Sequence, residues 1–339
     1  MKIIIKTLLT SLLLTQTSTF ISQSNGNDLD YFMKRVSAQA EVQTVEVTDI
    51  HGRIDVPVNP EVVIALDNRT FETLADWGIT LAAAPKDVMP ADSPYVADES
   101  VANIGNHREP NLELIAAADP DLVIVGQRFA SYYEEIKELV PNAVVIDFSW
   151  NVSEEAETPG ENLINGFIVS TTSLGQIFDK EEEATDLLSQ LDATIESAKA
   201  AYNGSDRVLS LVISGGEIGL SAPISGRVWG PLYEVFAWQA GLTIDNASSD
   251  HTGDSISVEA IAQSNPDWLF ILDRDASISS QEGATPAVDV IEGAPALQNT
   301  TAITSGQVIY APNDTYTNES IQTYIELFQI IADAFSHAE

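Results

Sequence analysis

Cysteine is absent from this sequence. That excludes structural disulfides, cysteine-ligated zinc, iron–sulfur clusters, a cysteine nucleophile and lipid attachment at an N-terminal cysteine. Basic residues are scarce: 15 Lys and Arg stand against 51 Asp and Glu in 339 residues, a formal net charge of −36. A field of that sign disfavours nucleic acid as a partner. The acids are spread along the chain rather than gathered in one run, which describes a solvated surface suited to salty surroundings. Only eight arginines occur, so a cationic spot on this background needs a local reason. Histidine is confined to His51, His107, His251 and His337. No stretch reaches the roughly 18 apolar residues of a membrane-spanning helix. There is no Gly-x-Ser-x-Gly elbow, no phosphate loop ending in Gly-Lys-Ser/Thr and no His-Glu-x-x-His. Gly215-Gly216-x-x-Gly219 follows an expected strand but lacks the spacing of a dinucleotide loop.

Apolar residues make up 44% of the chain, enough for a sizeable core, and the length suits two domains. Lys2, Ile3–Ile5, Lys6 and the apolar run Leu8–Leu14 have the build of a secretory leader, expected over residues 1–40. Ala38-Gln-Ala40 has the small-x-small form of a cleavage site; a cut nearer Ser18–Ser22 is the alternative.

One sentence of sequence is written twice. Asn111-Leu-Glu113 leads through an apolar run to Pro120-Asp121, a buried strand Leu122–Val125 and Arg128. Ser257-Val-Glu259 leads through another to Pro266-Asp267, a strand and Arg274. Glu113 and Glu259, Pro120 and Pro266, and Arg128 and Arg274 are all 146 positions apart. Solenoid repeats run at about 20–50 residues, so this offset describes two similar lobes. Open parallel sheets bind ligands beyond the carboxyl ends of their strands. Facing lobes would therefore set Arg128 and Arg274 on opposite walls of one cleft. The competing reading leaves both as solvated loop residues.

The remaining pattern predicts an N-terminal lobe over residues 41–158, a connecting helix over 159–180 and a C-terminal lobe over 181–339. In the first lobe a hairpin turns at His51-Gly52. Strands follow over Val62–Leu66, Ile79–Ala84 and Ala143–Phe148, with helices between them. Leu163, Ile164, Phe167, Ile168, Leu174 and Ile177 recur at helical spacing, and Asp179 is placed to cap a second helix. In the second lobe Arg207–Ile213 and Gln307–Tyr310 read as strands. Val228–Ala240 reads as a helix, Thr243–His251 as strand and loop, and Ile321–Phe335 as a closing amphipathic helix. His51 and His337 read as solvated, and His107 as structural.

Val56-Pro57, Val62–Leu66, Asn111-Leu-Glu113, Pro120–Ile124, Ser257-x-Glu259, Asn265-Pro-Asp267 and Leu272-Asp-Arg274-Asp275 together resemble a known family. It is that of the periplasmic or cell-surface binding proteins of ABC importers for iron–siderophores. The likeness covers Val45 to the C-terminus. It is greatest to the branch that binds ferric catecholates of the enterobactin and petrobactin kind. The resemblance implies a class III periplasmic-binding-protein fold: two α/β lobes, mainly parallel sheets, joined by one long helix. It implies a monomeric binder, not an enzyme, with no intrinsic cofactor. Such a binder lies in a periplasm or at a cell surface and delivers a ferric siderophore to a permease dimer.

Residue by residue, the resemblance implies that Arg128, Arg227 and Arg274 are cleft arginines. Forked, always-charged donors of this kind suit an anionic chelate. It implies that His251 and Tyr316 complete the iron shell when the siderophore supplies only four donors, although His251-Thr-Gly253 is one residue longer than the family pattern. Tyr316 as plain packing is the alternative. Glu113 and Glu259 match the acids that dock on permease arginines; each would also stabilise its helix by about 0.3–1 kcal/mol in the first turn. Haem, cobalamin or bare metal as cargo, or a secreted α/β hydrolase, are the competing functions.

Overall fold

The computed structural model describes residues 43–153, 155–278 and 283–338. The expected leader lies outside them. From Val45 onward the chain forms one compact unit built on two large sheets and a separate two-stranded one. Strands β1 (Thr44–Asp49) and β2 (Gly52–Pro57) make the opening hairpin, with Gly52 taking a φ of 123° at the turn.

The first sheet contains β3 (Val63–Ala65), β4 (Ala83–Ala84), β5 (Ala102–Asn103), β6 (Leu122–Val125) and β7 (Val144–Asp147), in the order β5-β4-β3-β6-β7. All neighbours are parallel. Every residue of β3 and β6 is buried, which is why both read as unbroken apolar runs rather than alternating ones. The strand expected over Ile79–Ala84 shortens to two residues, and the polar connection after it contributes the edge strand β5.

The second sheet contains β8 (Arg207–Ser214), β9 (Glu217–Leu220), β10 (Gln239–Ala240), β11 (Asp254–Ser255), β12 (Trp268–Asp273) and β13 (Val308–Tyr310). Its order is β11-β9-β8-β12-β13, with β10 also on β8. β8, β10, β12 and β13 are parallel, and β9 turns back antiparallel to β8. Gly215 and Gly216, at φ 61° and 77°, form the two-residue turn of that hairpin. This is the conformation such turns demand, so these glycines shape a hairpin.

Helices cover the sheets: α1 (Phe71–Asp76), α2 (Leu112–Ala117), α3 (Tyr133–Leu139), α4 (Pro159–Ile177), α5 (Glu181–Ala201), α6 (Gly230–Phe236), α7 (Val258–Ser264), α8 (Ala287–Glu292), α9 (Thr315–Asn318) and α10 (Ile321–His337). The helix expected over Val228–Ala240 stops at Phe236. Ala237 is left-handed at φ 53°, and Trp238 turns into the aromatic core, 4.8 Å from Phe270. Residues 243–251 carry no strand; β11 follows them. Asp179 does not cap α5. It makes the turn between two helices at φ 52°, and Lys180 takes the cap position.

The two lobes repeat each other in detail. β6 starts at Leu122 and β12 at Trp268, again 146 apart. Asp119 and Asn265 both end their helices at positive φ, 46° and 43°. Asp121 accepts hydrogen bonds from the N–H groups of Glu61 and Val62 at 2.9 and 2.8 Å, and Asp267 accepts one from Arg207 at 2.7 Å. The Pro-Asp corner thus fixes the register of the neighbouring strand in each lobe.

Helix α4 is anchored in both cores. Leu163 and Phe167 pack with the second lobe, and Leu174, Ile177 and Phe178 with the first. Its N-terminal N–H groups at Gly160 and Glu161 donate to the Glu234 carboxylate at 3.0 and 3.4 Å. Midway, a Cβ on Gly166 would fall 2.0 Å from Trp150. An exposed helical Gly→Ala change gains up to about 1 kcal/mol. Here overpacking reverses the sign: Gly166→Ala should destabilise by about 1–3 kcal/mol in urea unfolding, and Trp150→Leu in the same chain should recover part of that loss. A stabilised Gly166→Ala protein would contradict this packing.

Candidate functional site: an arginine-lined cleft

Beyond the carboxyl ends of β6 and β12 lies a pocket of about 690 Å³. Each arginine reaches it by a different local device. After β6 the chain passes Gly126, where any Cβ would fall 2.0 Å from the Asp67 carboxylate. A 3-10 turn over Gln127–Tyr132 then carries Arg128. Arg274 leaves β12 directly. Its backbone N–H donates to Ile213 at 3.0 Å, and its guanidinium donates to Ser214 Oγ at 3.0 Å. Arg227 sits in the loop before α6 between Ile224 and Val228, both at positive φ, 74° and 64°. β-branched residues adopt that region only under constraint.

The three guanidiniums gather around one ring. Their carbons lie 4.7 Å (Arg227), 5.1 Å (Arg274) and 5.9 Å (Arg128) from the centroid of Tyr316. The ring face carries negative quadrupole density, and each such contact offsets part of the like-charge repulsion. Arg128 also donates to the Tyr316 carbonyl at 3.1 Å. The Nε atoms of all three arginines are buried with no partner among the described residues. They are donors waiting for an acceptor.

His251 also lines the pocket, so the structure brings together Arg128, Arg227, Arg274, His251 and Tyr316. Glu113 and Glu259 lie outside it, exposed in the first turns of α2 and α7. Among the lining residues that escaped the sequence reading are His107 and Arg108. They end the polar connection after β5, and nothing in their spacing marks it as a cleft wall. His107 is part of the pocket rather than simply structural, with a buried Nδ1 that has no partner among the described residues. Burial, then Arg128, Arg108 and Arg227, hold its pKa below the usual histidine value, so it stays a neutral acceptor in a cationic setting. His51 and His337 lie elsewhere: His51 pairs with Asp147 at 3.1 Å, and His337 faces the Asp333 carbonyl.

A second buried group supports the first. Glu319 is 3% exposed and pairs with Arg227 at 2.5 Å and Arg69 at 3.3 Å. Burial works against its charge, but Arg227, Arg69 and Arg128 hold its pKa down at about 2. Burial also opposes the charge of Arg227, and Glu319 more than offsets it, raising its pKa. Arg128 has no paired carboxylate among the described residues; burial and Arg227 pull it down to about 10, still charged at neutral pH. Under Gly126, burial pushes Asp67 up to about 7 against the pull of Arg69. Among the described residues the pocket lining holds four arginines and two carboxylates, Asp87 and Asp250. Asp250 already accepts from the N–H and hydroxyl of Thr252, at 2.8 and 2.6 Å. Among the described residues no three His, Asp or Glu side chains converge to hold a metal ion. The arrangement is built to receive an anion.

The chain is 28% identical over 264 residues to the petrobactin-binding protein YclQ of Bacillus subtilis, covering 77% of each chain. It is 29% identical over 269 residues to the ferric-anguibactin-binding protein FatB of Vibrio anguillarum, covering 78% of this chain and 79% of that one. Among solved structures, YclQ superposes with a TM-score of 0.70 at 25% identity, covering 86% of this chain and 99% of that one. The siderophore-binding protein BauB, bound to two acinetobactin molecules and ferric iron, superposes with a TM-score of 0.73 at 25% identity, covering 86% and 99%. The family model described as periplasmic binding protein matches residues 63–315. The chain belongs to the periplasmic binding protein family.

Proposed function

We propose that this protein is the extracytoplasmic binding component of an ABC iron importer, and that it captures a ferric catecholate siderophore in the cleft between its lobes. The observation that carries the reading is the convergence of Arg128, Arg227 and Arg274, all lining the pocket, on the Tyr316 ring. Catecholate oxygens bound to ferric iron are delocalised acceptors of negative charge, and guanidinium forks match them. The pocket volume of about 690 Å³ falls in the range of small-molecule sites, roughly 300–1,000 Å³. The names of YclQ and FatB point to siderophore cargo. Among the described residues no helix is long and apolar enough to cross a membrane.

His251 and Tyr316, both on the pocket wall, supply imidazole and phenolate to ferric iron when the cargo offers four donors. With six donors from the cargo they serve as contacts. Binding, not bond making, is the function. Glu113 and Glu259, in like positions on the two lobes, meet paired sites of a permease dimer.

A titration of the purified protein with ferric catecholates, hydroxamates, haem and cobalamin, followed by tryptophan quenching, tests the cargo. Saturation by haem or cobalamin and none by catecholates would reject it while leaving the fold untouched. Arg128→Ala and Arg274→Ala should each weaken catecholate binding by about 1.5–3 kcal/mol, a rise in Kd of about ten- to a hundredfold. Tyr316→Phe keeps the ring that packs the arginines. Like His251→Ala, it should shift the visible absorption of a tetradentate complex and leave a hexadentate one unchanged. A Glu113→Ala, Glu259→Ala double variant should bind normally and fail in uptake by intact cells; normal uptake would remove the docking role.

A further inference from the structure

A smaller cavity of about 170 Å³ adjoins the cleft, and Arg227 and Ser249 line both. Its other walls include Arg69 and Gln127 from the first lobe and Ser225 and Glu319 from the second. The Arg69 side chain is 2% exposed. One of its five N–H donors reaches Glu319, and its face lies 5.5 Å from the Trp150 ring. Arg69 Nε and Nη1, Arg227 Nε and Ser225 Oγ are buried with no partner among the described residues. Ser225, itself 5% exposed, is held in the loop between the positive-φ residues Ile224 and Val228.

The charge does not close within the cavity wall. Among the described residues of the wall, two guanidiniums, Arg69 and Arg227, face one carboxylate, Glu319; buried Asp67, its pKa pushed up to about 7, offsets the remaining positive charge only in part. A buried guanidinium with unmade hydrogen bonds is costly unless something accepts them. The complement must be small, must offer acceptors to several donors and must carry one negative charge. A second charge would meet Glu319 across the cavity. A water takes about 30 Å³ of liquid volume, so the space admits a hydrated halide or a small oxyanion such as formate, nitrate or bicarbonate.

We propose that this cavity is a binding site for one small monovalent anion, held by Arg69 from one lobe and by Arg227 and Ser225 from the other. Because its donors come from both lobes, the bound anion ties them together behind the cleft and fixes the fork of Arg227 toward the cargo. The same chemistry has two sources: a free anion, or a carboxylate arm of the cargo reaching past Arg227.

The test uses the full protein without siderophore. Thermal unfolding is followed at constant ionic strength while sodium gluconate is replaced by sodium bromide, and crystals grown in bromide are measured at the bromine absorption edge. The expected result is a saturable rise in Tm with bromide and an anomalous peak within hydrogen-bond distance of Arg69 and Ser225. Ser225→Ala, which keeps every charge, should raise the half-saturating bromide concentration by about tenfold. Arg69→Met should abolish the effect if that chain folds. Equal melting in the two salts, or bromide confined to the cleft arginines, would overturn the site and leave the cargo reading intact. Displacement of the peak by a carboxylate-bearing ferric chelate, but not by a carboxylate-free one, assigns the site to the cargo; retention under both assigns it to a free anion.

Discussion

The cleft depends on keeping three guanidiniums charged and close together out of bulk water. Like charges in a low-dielectric setting repel strongly, and desolvation adds to the cost. Two residues make the cluster tolerable. Tyr316 puts an aromatic ring at the centre, within 6 Å of all three. Glu319 supplies a buried full charge against Arg227 and Arg69. The offset is deliberately incomplete, because a fully neutralised cluster would have nothing left to offer an anion.

The same residues govern how the lobes are held. Arg69 belongs to the loop after β3 and Glu319 to the segment after α9, so the buried ion pair crosses between lobes. Around it Asn68 donates to the Thr317 carbonyl at 3.2 Å, Thr73 to Gln322 at 2.9 Å and Asn318 to Glu72 at 2.9 Å. Ser320 donates to the same Glu72 carboxylate. With α4 seated in both cores, the lobes are fixed along one whole side. Large hinge closure of the kind that needs a few free loop residues has little room here. A cleft held in shape beforehand lowers the ordering cost of binding.

Much of this was legible in the sequence, because the repeat carried it. Pro120-Asp121 and Pro266-Asp267 announce strands whose register the aspartates fix, and the arginine just past each strand lands in the pocket. Arg69 likewise follows the carboxyl end of a strand, β3, but it lines the smaller cavity behind the cleft. Its counterpart 146 residues on is Gly215, so the repeat gave no second copy to draw attention to it. Glu319 was invisible for a different reason. In a chain with 51 acids, nothing local distinguishes the few that are buried, Asp67, Asp147, Asp275 and Glu319 among them. His107 and Arg108 are brought to the cleft by a long polar connection whose path no periodicity encodes. The helix over Val228–Ala240 was overextended because Trp238 satisfies apolar spacing while its burial comes from Phe236 and Phe270, contacts that only the tertiary fold supplies.

The contrast between surface and cleft has a physical consequence for capture. A net charge of −36 would repel an anionic chelate at long range in pure water. Salt removes most of that: the Debye length is about 8 Å at 0.15 M and about 3 Å at 1 M. The dispersed surface acids act over that distance and no further. The cleft arginines act on a ligand already inside, at contact distance and in a medium that screens them poorly. Raising salt therefore silences the repulsive exterior faster than the attractive interior, and an acidic coat becomes compatible with anion capture. The acids keep the chain soluble, while a few buried guanidiniums decide what enters.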